Sequence, residues 1–95
     1  MTIEFVWDPK KAAANERKHR VAFHEAMTVF ADPLARIHDD PEHSSSEYRE
    51  LIVGHSVRGR LLAVFFTERG ETVRIISARQ ATRNEHKDYQ ENKRS

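Results

Sequence analysis

The chain has 95 residues, of which 38% are hydrophobic and 33% charged, and its formal net charge is +1. We expect this length to form a single domain spanning residues 1–95, which buries only about two-thirds of its unfolded surface. The longest apolar run, residues 61–66, is too short for a transmembrane helix. The sequence has no cysteine, which excludes disulfides, zinc–thiolate sites and thiol nucleophiles. Because no basic stretch precedes an apolar one at the start, we expect a cytoplasmic location.

The charge is unevenly distributed along the chain. Residues 1–57 carry seven lysines and arginines against ten acidic residues, a net charge of −3. Residues 58–83 carry six arginines and no lysine against two glutamates, a net charge of +4. Arginine binds phosphate through a planar fork of N–H donors, so this segment favours a polyanionic partner.

The first part of the chain predicts a short strand and two helices. Residues 3–7 alternate in polarity and predict a strand. The Asp8-Pro9 pair is typical of a helix start, and this first helix ends near His19. Apolar residues recur at i, i+3, i+4 and i+7 over residues 23–30, which predicts a second helix. The Asp32-Pro33 pair ends it.

The pattern then changes to period two. A strand is predicted at 34–38 and a polar loop at 39–46, and three more strands follow at 48–57, 60–67 and 72–78. The short connections between the last three strands indicate antiparallel hairpins. Because residues 61–66 are apolar on both faces, we expect that strand to be central.

A C-terminal helix completes the predicted domain. The segment from Thr82 to Glu85 has the spacing of a capping box and opens a helix over residues 83–93. This helix has almost no apolar residue except Tyr89. The whole pattern predicts an α+β domain with an antiparallel sheet of about four strands, two N-terminal helices and one C-terminal helix.

Three arginines, Arg74, Arg79 and Arg83, follow each other along the last strand and into the helix start. An arginine in the first turn of a helix is disfavoured by the helix dipole, and a bound phosphate would reverse that penalty. They therefore indicate a phosphate-binding site, with capping of the sheet as the alternative. In a straight strand, Arg74 and Arg79 would point to opposite faces. The sequence alone leaves open whether they share one face.

Three other groups of residues admit two interpretations each. Arg60 adjoins a tight turn and either joins the same basic surface or belongs to a solvated hairpin, and it has the parity of Leu62. The Lys18-His19 pair either moves protons near neutral pH or caps the first helix. Residues 38–43 have the residue types of a metal site, but their spacing favours a solvated acidic loop.

A series of motifs follows in an order and at separations that are specific. They are Phe5-x-Trp7-Asp8-Pro9-x-Lys11-Ala12-x-x-Asn15-x-x-Lys18-His19, Phe23-x-Glu25-Ala26, Val29-Phe30-x-Asp32-Pro33, Arg74-Ile75-Ile76-Ser77-Ala78-Arg79-x-Ala81-Thr82-Arg83-x-Glu85 and finally Tyr89. On these motifs the chain resembles the BrnT family of toxins from type II toxin–antitoxin systems. The resemblance implies a compact RelE-like fold and RNA cleavage that inhibits translation.

The same resemblance implies partners and site residues. The partner is a BrnA-type antitoxin with a ribbon-helix-helix domain, expected in a 2:2 heterotetramer, which alone contacts operator DNA. The basic residues that match RelE-like sites are Arg60, Arg74, Arg79 and Arg83, with His19 as a further match. No cofactor, metal or membrane partner is expected. The chain departs from the family pattern at two positions: Val6 replaces a usual Glu, and Arg20 replaces a usual Gly. If the second position has a positive φ, Arg20 carries strain of about 1 kcal/mol.

The predicted chemistry is metal-independent RNA hydrolysis, in which the 2′-hydroxyl attacks the adjacent phosphate. Arg79 and Arg74 hold the phosphate and stabilise the developing charge, because arginine is too basic to accept a proton. His19 is the candidate proton carrier, and the remaining basic residues position the strand: Arg60, Arg83 and Lys18. One alternative is a non-catalytic module that binds nucleic acid or the antitoxin and acts in operator autoregulation. Another is a structural subunit whose arginines serve only an interface.

Overall fold

The computed structural model describes residues 2–40 and 48–94, which form three α-helices, a 3₁₀ helix and one five-stranded sheet. In chain order the elements are β1 (Glu4–Val6), α1 (Pro9–His19), α2 (Phe23–Ala26), the 3₁₀ helix (Met27–Ala31), β2 (Arg36–Asp39), β3 (Glu50–His55), β4 (Leu61–Arg69), β5 (Thr72–Gln80) and α3 (Arg83–Arg94). The strand order is β1-β5-β4-β3-β2. The predicted α+β class is confirmed, and so is the central position of β4. Most of the predicted polar loop, residues 41–46, lies outside the described residues.

The predicted sheet of about four antiparallel strands is corrected to five strands in a mixed sheet. The opening strand β1 pairs in parallel with β5, with Glu4 opposite Thr72 and Val6 opposite Arg74. The other neighbouring strands are antiparallel. A three-residue strand is stable only with a partner, and here that partner is the last strand of the chain. Local sequence patterns carry no information about such a distant pairing.

The predicted second helix is also corrected. It is α-helical only over Phe23–Ala26 and then tightens into the 3₁₀ helix. The Thr28 hydroxyl donates a hydrogen bond of 2.6 Å to the Glu25 carbonyl oxygen in this transition. Thr28 and Val29 are both β-branched, which lowers the preference for a regular α-helix. The chain still buries Phe23, Ala26 and Val29, and it ends this segment at Asp32 as predicted.

Each side of the sheet has its own apolar cluster. On one side, which we call the core face, strand residues pack with residues of α1, α2 and the 3₁₀ helix: Ile52, Leu62, Val64, Phe66, Val73, Ile75 and Ala78. On the other side, the α3 face, a smaller cluster packs with Tyr89 of α3: Val53, Leu61 and Ala63. Tyr89 is 3% exposed. It is thus the residue that anchors α3, a helix whose sequence has almost no other apolar residue.

Strand β5 changes the face of its side chains partway along. Phe65 of β4 lies opposite Ser77, whereas the next residue, Phe66, lies opposite Ile75. Ile76 is therefore an extra residue in β5, and the register of the two strands shifts at this point. Such a bulge reverses the parity of every residue that follows. Accordingly Ile75 and Ala78 are both buried in the core-face cluster, although they are three residues apart. Arg74 and Arg79 therefore both belong to the α3 face, which answers the question that the sequence left open.

The edge of β5 beyond the end of β1 is completed by a side chain of α1. The buried carboxamide of Asn15 donates to the Ala78 carbonyl oxygen at 2.8 Å and accepts from the Ala78 N–H at 3.0 Å. It also donates to the Val21 carbonyl oxygen at 2.9 Å. Asn15 thus makes the two hydrogen bonds that a neighbouring strand would make. This contact aligns α1 with the edge of β5.

We predict that Asn15→Ala lowers the free energy of unfolding by about 3 kcal/mol, because it leaves buried backbone groups of Ala78 and Val21 without their partner. Urea-induced unfolding measures the difference. The matched control is Glu16→Ala, an exposed neighbour on the same helix, which should change stability by less than about 0.5 kcal/mol. Equal stability of the two variants would contradict the prediction.

Arg20, which ends α1, has the left-handed backbone conformation suggested by the family pattern. Its φ is 59° and its ψ is 33°, and its N–H donates to the Glu16 carbonyl oxygen at 2.9 Å. In the part of the chain that the structure describes, no other non-glycine residue has a positive φ. A side chain is strained in this conformation, whereas glycine is not.

We predict that Arg20→Gly raises the free energy of unfolding by about 0.5–1 kcal/mol, because glycine relieves this strain. For a chain of this size, thermal unfolding should then show a midpoint that is higher by about 4 °C. Arg20→Ala is the control, since it removes the same charge but keeps the strained Cβ. If the alanine variant gains as much stability as the glycine variant, the strain explanation is wrong.

Candidate functional site

Two arginines of β5 lie on the α3 face with an aromatic ring and a hydroxyl between them. Along β4 and β5 the opposite pairs are Ala63 with Arg79, then Phe65 with Ser77, then Thr67 with Arg74. Ala63 and Thr67 are four residues apart in one strand. The Cα atoms of the two arginines are therefore separated by about 13 Å. This distance suits an extended anionic chain better than a single small anion.

Three adjoining hollows run along this part of the sheet, and we call them together the arginine groove. The first has a volume of about 280 Å³ and is lined by Val6, Thr67, Arg69, Thr72 and Arg74. The second has about 90 Å³ and is lined by Asp8, Lys11, Arg49, Arg74, Ile75 and Ile76. The third has about 170 Å³ and is lined by Asp40, Arg49, Phe65, Ile76 and Ser77. Shared residues join each hollow to the next, and four of the lining residues are cationic.

Arg79 is held by Glu85 of α3. Arg79 Nη1 donates to Glu85 Oε1 at 2.8 Å, and Arg79 Nη2 donates to Glu85 Oε2 at 3.0 Å. Arg79 Nη1 also donates to the Gln80 carbonyl oxygen at 3.2 Å, and the guanidinium lies 5.4 Å from the centre of the Phe65 ring. The hydrogen bonds to Glu85 raise the pKa of Arg79. The guanidinium is therefore fixed in direction and permanently charged.

Glu85 has two structural partners at once. Its Oε1 accepts from the Thr82 N–H at 2.8 Å, and its own N–H donates to the Thr82 hydroxyl at 3.2 Å, which confirms the predicted capping box. Burial raises the pKa of Glu85, but the hydrogen bonds from Arg79 and Thr82 outweigh it and lower that pKa overall. The sequence pattern predicts Glu85 only as a helix cap and does not reveal its contact with Arg79. The sequence signal for this contact is the position of Glu85 in the first turn of the helix that directly follows the strand end with Arg79.

Arg60 lies on the opposite side of the sheet from Arg74 and Arg79. Its Nε donates to Glu25 Oε2 at 2.9 Å, its Nη2 pairs closely with Glu25 Oε1, and its Nη2 donates to the Arg20 carbonyl oxygen at 3.1 Å. The Ser56 hydroxyl donates to the same carboxylate at 2.7 Å. The parity predicted for Arg60 is correct. The structure does not bring it together with the other arginines of the predicted site.

The other predicted site residues lie at helix ends. His19 is half-buried and follows Asn15 by one helical turn, so α1 carries it toward the C-terminal end of β5. Among the described residues, no hydrogen bond or ion pair joins His19 to Arg79. Lys18 is exposed beside His19, and Arg83 is exposed in the first turn of α3. The sequence pattern does not identify Lys11 and Arg49, which line the groove from outside β5.

The position of α3 depends on Asp32. Its carboxylate accepts the Tyr89 hydroxyl at 2.7 Å, the His55 N–H at 2.8 Å and the Leu34 N–H at 2.9 Å. Burial raises the pKa of Asp32, but these three hydrogen bonds lower it overall. Burial and the same carboxylate raise the pKa of Tyr89 to about 12. The hydroxyl thus stays protonated and keeps α3, with Glu85, fixed against the sheet.

The predicted acidic loop lies only partly within the described residues. His38 Nε2 lies 3.3 Å from Asp88 Oδ2 of α3, while residues 41–43 fall outside the description. Within residues 2–40 and 48–94, no three side chains of the metal-binding types are grouped so that they hold an ion. The helices described are also too short or too polar to span a membrane.

We predict that Glu25 makes the chain sensitive to acid. The hydrogen bond from Arg60 is the main reason that the pKa of Glu25 falls below its usual 4.5, although burial opposes it. A carboxylate with a lowered folded pKa stabilises the fold above its unfolded pKa and loses that effect as pH falls through the folded value. Glu25→Gln should therefore lower the free energy of unfolding by about 2 kcal/mol at pH 7.

Urea unfolding at pH 7 and pH 3 tests this effect. The difference between wild type and Glu25→Gln should shrink as pH falls below 4.5 toward the lowered folded pKa, because protonation of the wild-type carboxylate progressively removes the stabilising effect of its charge. Glu16→Gln is the control, since Glu16 is exposed on the same helical half of the molecule. A difference between wild type and Glu25→Gln that is the same at both pH values would contradict the prediction.

Comparison with known proteins gives a family and a similar fold. The family model described as "Ribonuclease toxin, BrnT, of type II toxin-antitoxin system" matches residues 7–85. Among solved structures, the crystal structure of the Brucella abortus ribonuclease toxin BrnT is similar, with a TM-score of 0.67 and 22% sequence identity. The similarity covers 86% of this chain and 100% of that one. No curated protein matches the chain. Since the family model covers most of its length, the chain belongs to the BrnT family of ribonuclease toxins of type II toxin–antitoxin systems.

Proposed function

We propose that this chain cleaves RNA without a metal ion, through attack of a ribose 2′-hydroxyl on the adjacent phosphate, and thereby inhibits translation. The observation that carries the proposal is the bulge at Ile76, which sets Arg74 and Arg79 on one face beside the arginine groove. An RNA strand along this face meets a guanidinium at two points. The products would carry 2′,3′-cyclic phosphate or 3′-phosphate ends.

The donor arrangement of Arg79 supports a role in holding the scissile phosphate. A guanidinium has five N–H groups, and the Glu85 carboxylate and the Gln80 carbonyl oxygen take three of them. The other two, on Nε and Nη2, lie in the guanidinium plane along the same edge. Together they form a fork for two phosphate oxygens. In the reaction this fork stabilises the charge that develops on the phosphate.

The remaining residues have supporting roles in this proposal. Arg74 holds the strand at the second point, and Arg83 and Lys18 extend the positive surface at the ends of α3 and α1. His19 is the proton carrier, which contributes about 10²–10⁴-fold to the rate when it is correctly placed. Because Arg60 is committed to Glu25 and Arg20, its contacts favour a structural role.

Regulation follows from the same surface. We propose that a BrnA-type ribbon-helix-helix antitoxin neutralises the toxin in a 2:2 assembly by covering the arginine groove. Operator DNA is then contacted by the antitoxin, and the toxin acts in the cytoplasm on RNA. The RelE-like classification of the fold is part of this proposal, since it groups the chain with ribonucleases that rely on basic residues.

A second candidate function is a non-catalytic module that binds nucleic acid or the antitoxin. One observation favours it: within the described part of the chain, Glu85 is the only titratable side chain that hydrogen-bonds to Arg79, and the pKa of Glu85 is lowered. A carboxylate that holds its charge so firmly is a weak base. The two candidates differ in one measurable property, which is bond cleavage.

We predict that the purified protein cleaves single-stranded RNA in EDTA and that Arg79→Ala lowers the rate by about 10²–10³-fold, the usual effect of removing one charge-stabilising donor. Gel analysis with end-group identification measures the rate and the product. Arg58→Ala is the matched control, because Arg58 is 71% exposed at the hairpin and lies outside the groove. DNA of the same sequence should remain intact, since it lacks the 2′-hydroxyl.

Three results would decide against the proposal. Equal cleavage by wild type and Arg79→Ala would place the activity elsewhere or in a contaminant. Cleavage that requires a divalent cation would exclude the metal-independent route. Binding of RNA with no cleavage, in the presence as well as the absence of ribosomes, would favour the non-catalytic module.

A further inference from the structure

The second hollow of the arginine groove lies at a gap in the pairing of β5. Strand β1 pairs with β5 only as far as Arg74, and the next hydrogen bonds to this edge of β5 are those of the Asn15 side chain with the Ala78 backbone. Between these points the edge faces the first turn of α1. The hollow there has a volume of about 90 Å³. At about 30 Å³ per water molecule, it has the size of three waters or one tetrahedral oxyanion.

Three cationic side chains from three separate elements line this hollow. Lys11 comes from the first turn of α1, Arg74 from β5, and Arg49 from the residue before β3. Strand β3 is separated from β5 by β4, so the Arg49 side chain extends past β4 to line the hollow. Such a convergence of like charges costs free energy through mutual repulsion unless negative charge offsets it. Asp8 in this hollow and Asp40, which lies beside Arg49 in the third hollow, supply part of that charge.

The one carboxylate of the hollow is already engaged. Asp8 accepts the Lys10 N–H at 2.8 Å as the cap of α1. Three positive charges against one negative charge leave the lining with a net charge of +2. Arg49 and Arg74 also make interactions within the chain. Each guanidinium has five N–H donors, so an anion in the hollow is an additional partner and not a competitor.

We propose that Lys11, Arg49 and Arg74 form a phosphate subsite for single-stranded RNA, separate from the fork of Arg79. The inference rests on the proposed function, because it assigns a second phosphate of the same substrate. The third hollow, with Phe65 and Ser77, connects this subsite to the strand position of Arg79. A positively charged groove that follows the backbone is the usual mode of binding a single strand.

The subsite binds the strand at a distance from the reacting bond. Its loss therefore weakens substrate binding in the ground state and the transition state equally. Such a loss raises KM and leaves kcat unchanged. Loss of the Arg79 fork instead lowers kcat. This difference separates the subsite from the reacting centre and from a general loss of folding.

The test uses a fluorescent single-stranded RNA of about 10 nucleotides with 2′-O-methyl groups, which binds without being cleaved. Lys11→Ala and Arg49→Ala should each weaken binding about fivefold and reduce the slope of log Kd against log salt by about 0.7, the effect of one lost phosphate contact on a single strand. Lys10→Ala and Arg58→Ala are the matched controls, as exposed cations outside the hollow, and they should bind like wild type.

Cleavage kinetics on unmodified RNA and thermal unfolding complete the test. Each subsite variant should raise KM by the same factor as Kd, keep kcat within about twofold and keep its unfolding midpoint. Should Arg49→Ala unfold, Arg49→Gln takes its place, because it removes the charge and keeps most of the side-chain length. Wild-type affinity and salt slope in the subsite variants, with cleavage still lost in Arg79→Ala, would overturn the subsite and leave the proposed function standing.

Two other results have distinct meanings. A wild-type protein that neither binds nor cleaves RNA would overturn the proposed function and the subsite together. Subsite variants that bind RNA normally but lose affinity for an acidic antitoxin segment would overturn the RNA subsite and assign the hollow to a protein partner.

Discussion

The extra residue in β5 decides which side of the sheet each later side chain occupies. Without the bulge at Ile76, Arg79 would share the core face with Ile75 and would bury a charge among apolar side chains. With it, Ala78 takes the core position and Arg79 joins Arg74 on the α3 face. Bulges next to functional sites commonly redirect a side chain in this way. The proposed site, the groove and the role of Glu85 all depend on this one insertion.

Polar side chains complete the sheet where its outer strands end. Asn15 pairs with the edge of β5 beyond β1, and Asp32 accepts the His55 N–H beyond the last β2–β3 pair. Each of them also joins an element from elsewhere in the chain: Asn15 joins α1, and Asp32 joins α3 through Tyr89. These residues belong to the motifs that carry the family resemblance. They act on the site by fixing the helices around it.

The sequence predicted what is local and missed what depends on distant pairing. The helix caps at Asp8 and Thr82 and the central strand follow from neighbouring residues, and the structure confirms them. The positive φ of Arg20 was instead suggested by the family pattern, which usually has Gly at this position. The parallel pairing of β1 and the register of β5 depend on which strands meet, and no local pattern contains that information. For the same reason, the sequence identifies Arg74 and Arg79 as candidate site residues but does not show that they share one face of the sheet. Lys11 and Arg49 were missed because they reach the groove from other elements.

Two arginine–glutamate pairs of the same chemistry have different consequences because they use different donors. Arg60 donates from Nε and Nη2 to Glu25, and its Nη2 also donates to the Arg20 carbonyl oxygen. The fork formed by Nε and Nη2 of Arg60 is therefore already occupied by partners within the chain. Arg79 places Nη1 and Nη2 on Glu85, so the hydrogen bonds to Glu85 leave the fork of Nε and Nη2 available. In both pairs a hydrogen-bonded glutamate raises the pKa of the arginine. Charge alone therefore does not separate a structural arginine from a phosphate-binding one. The direction of the remaining N–H donors does.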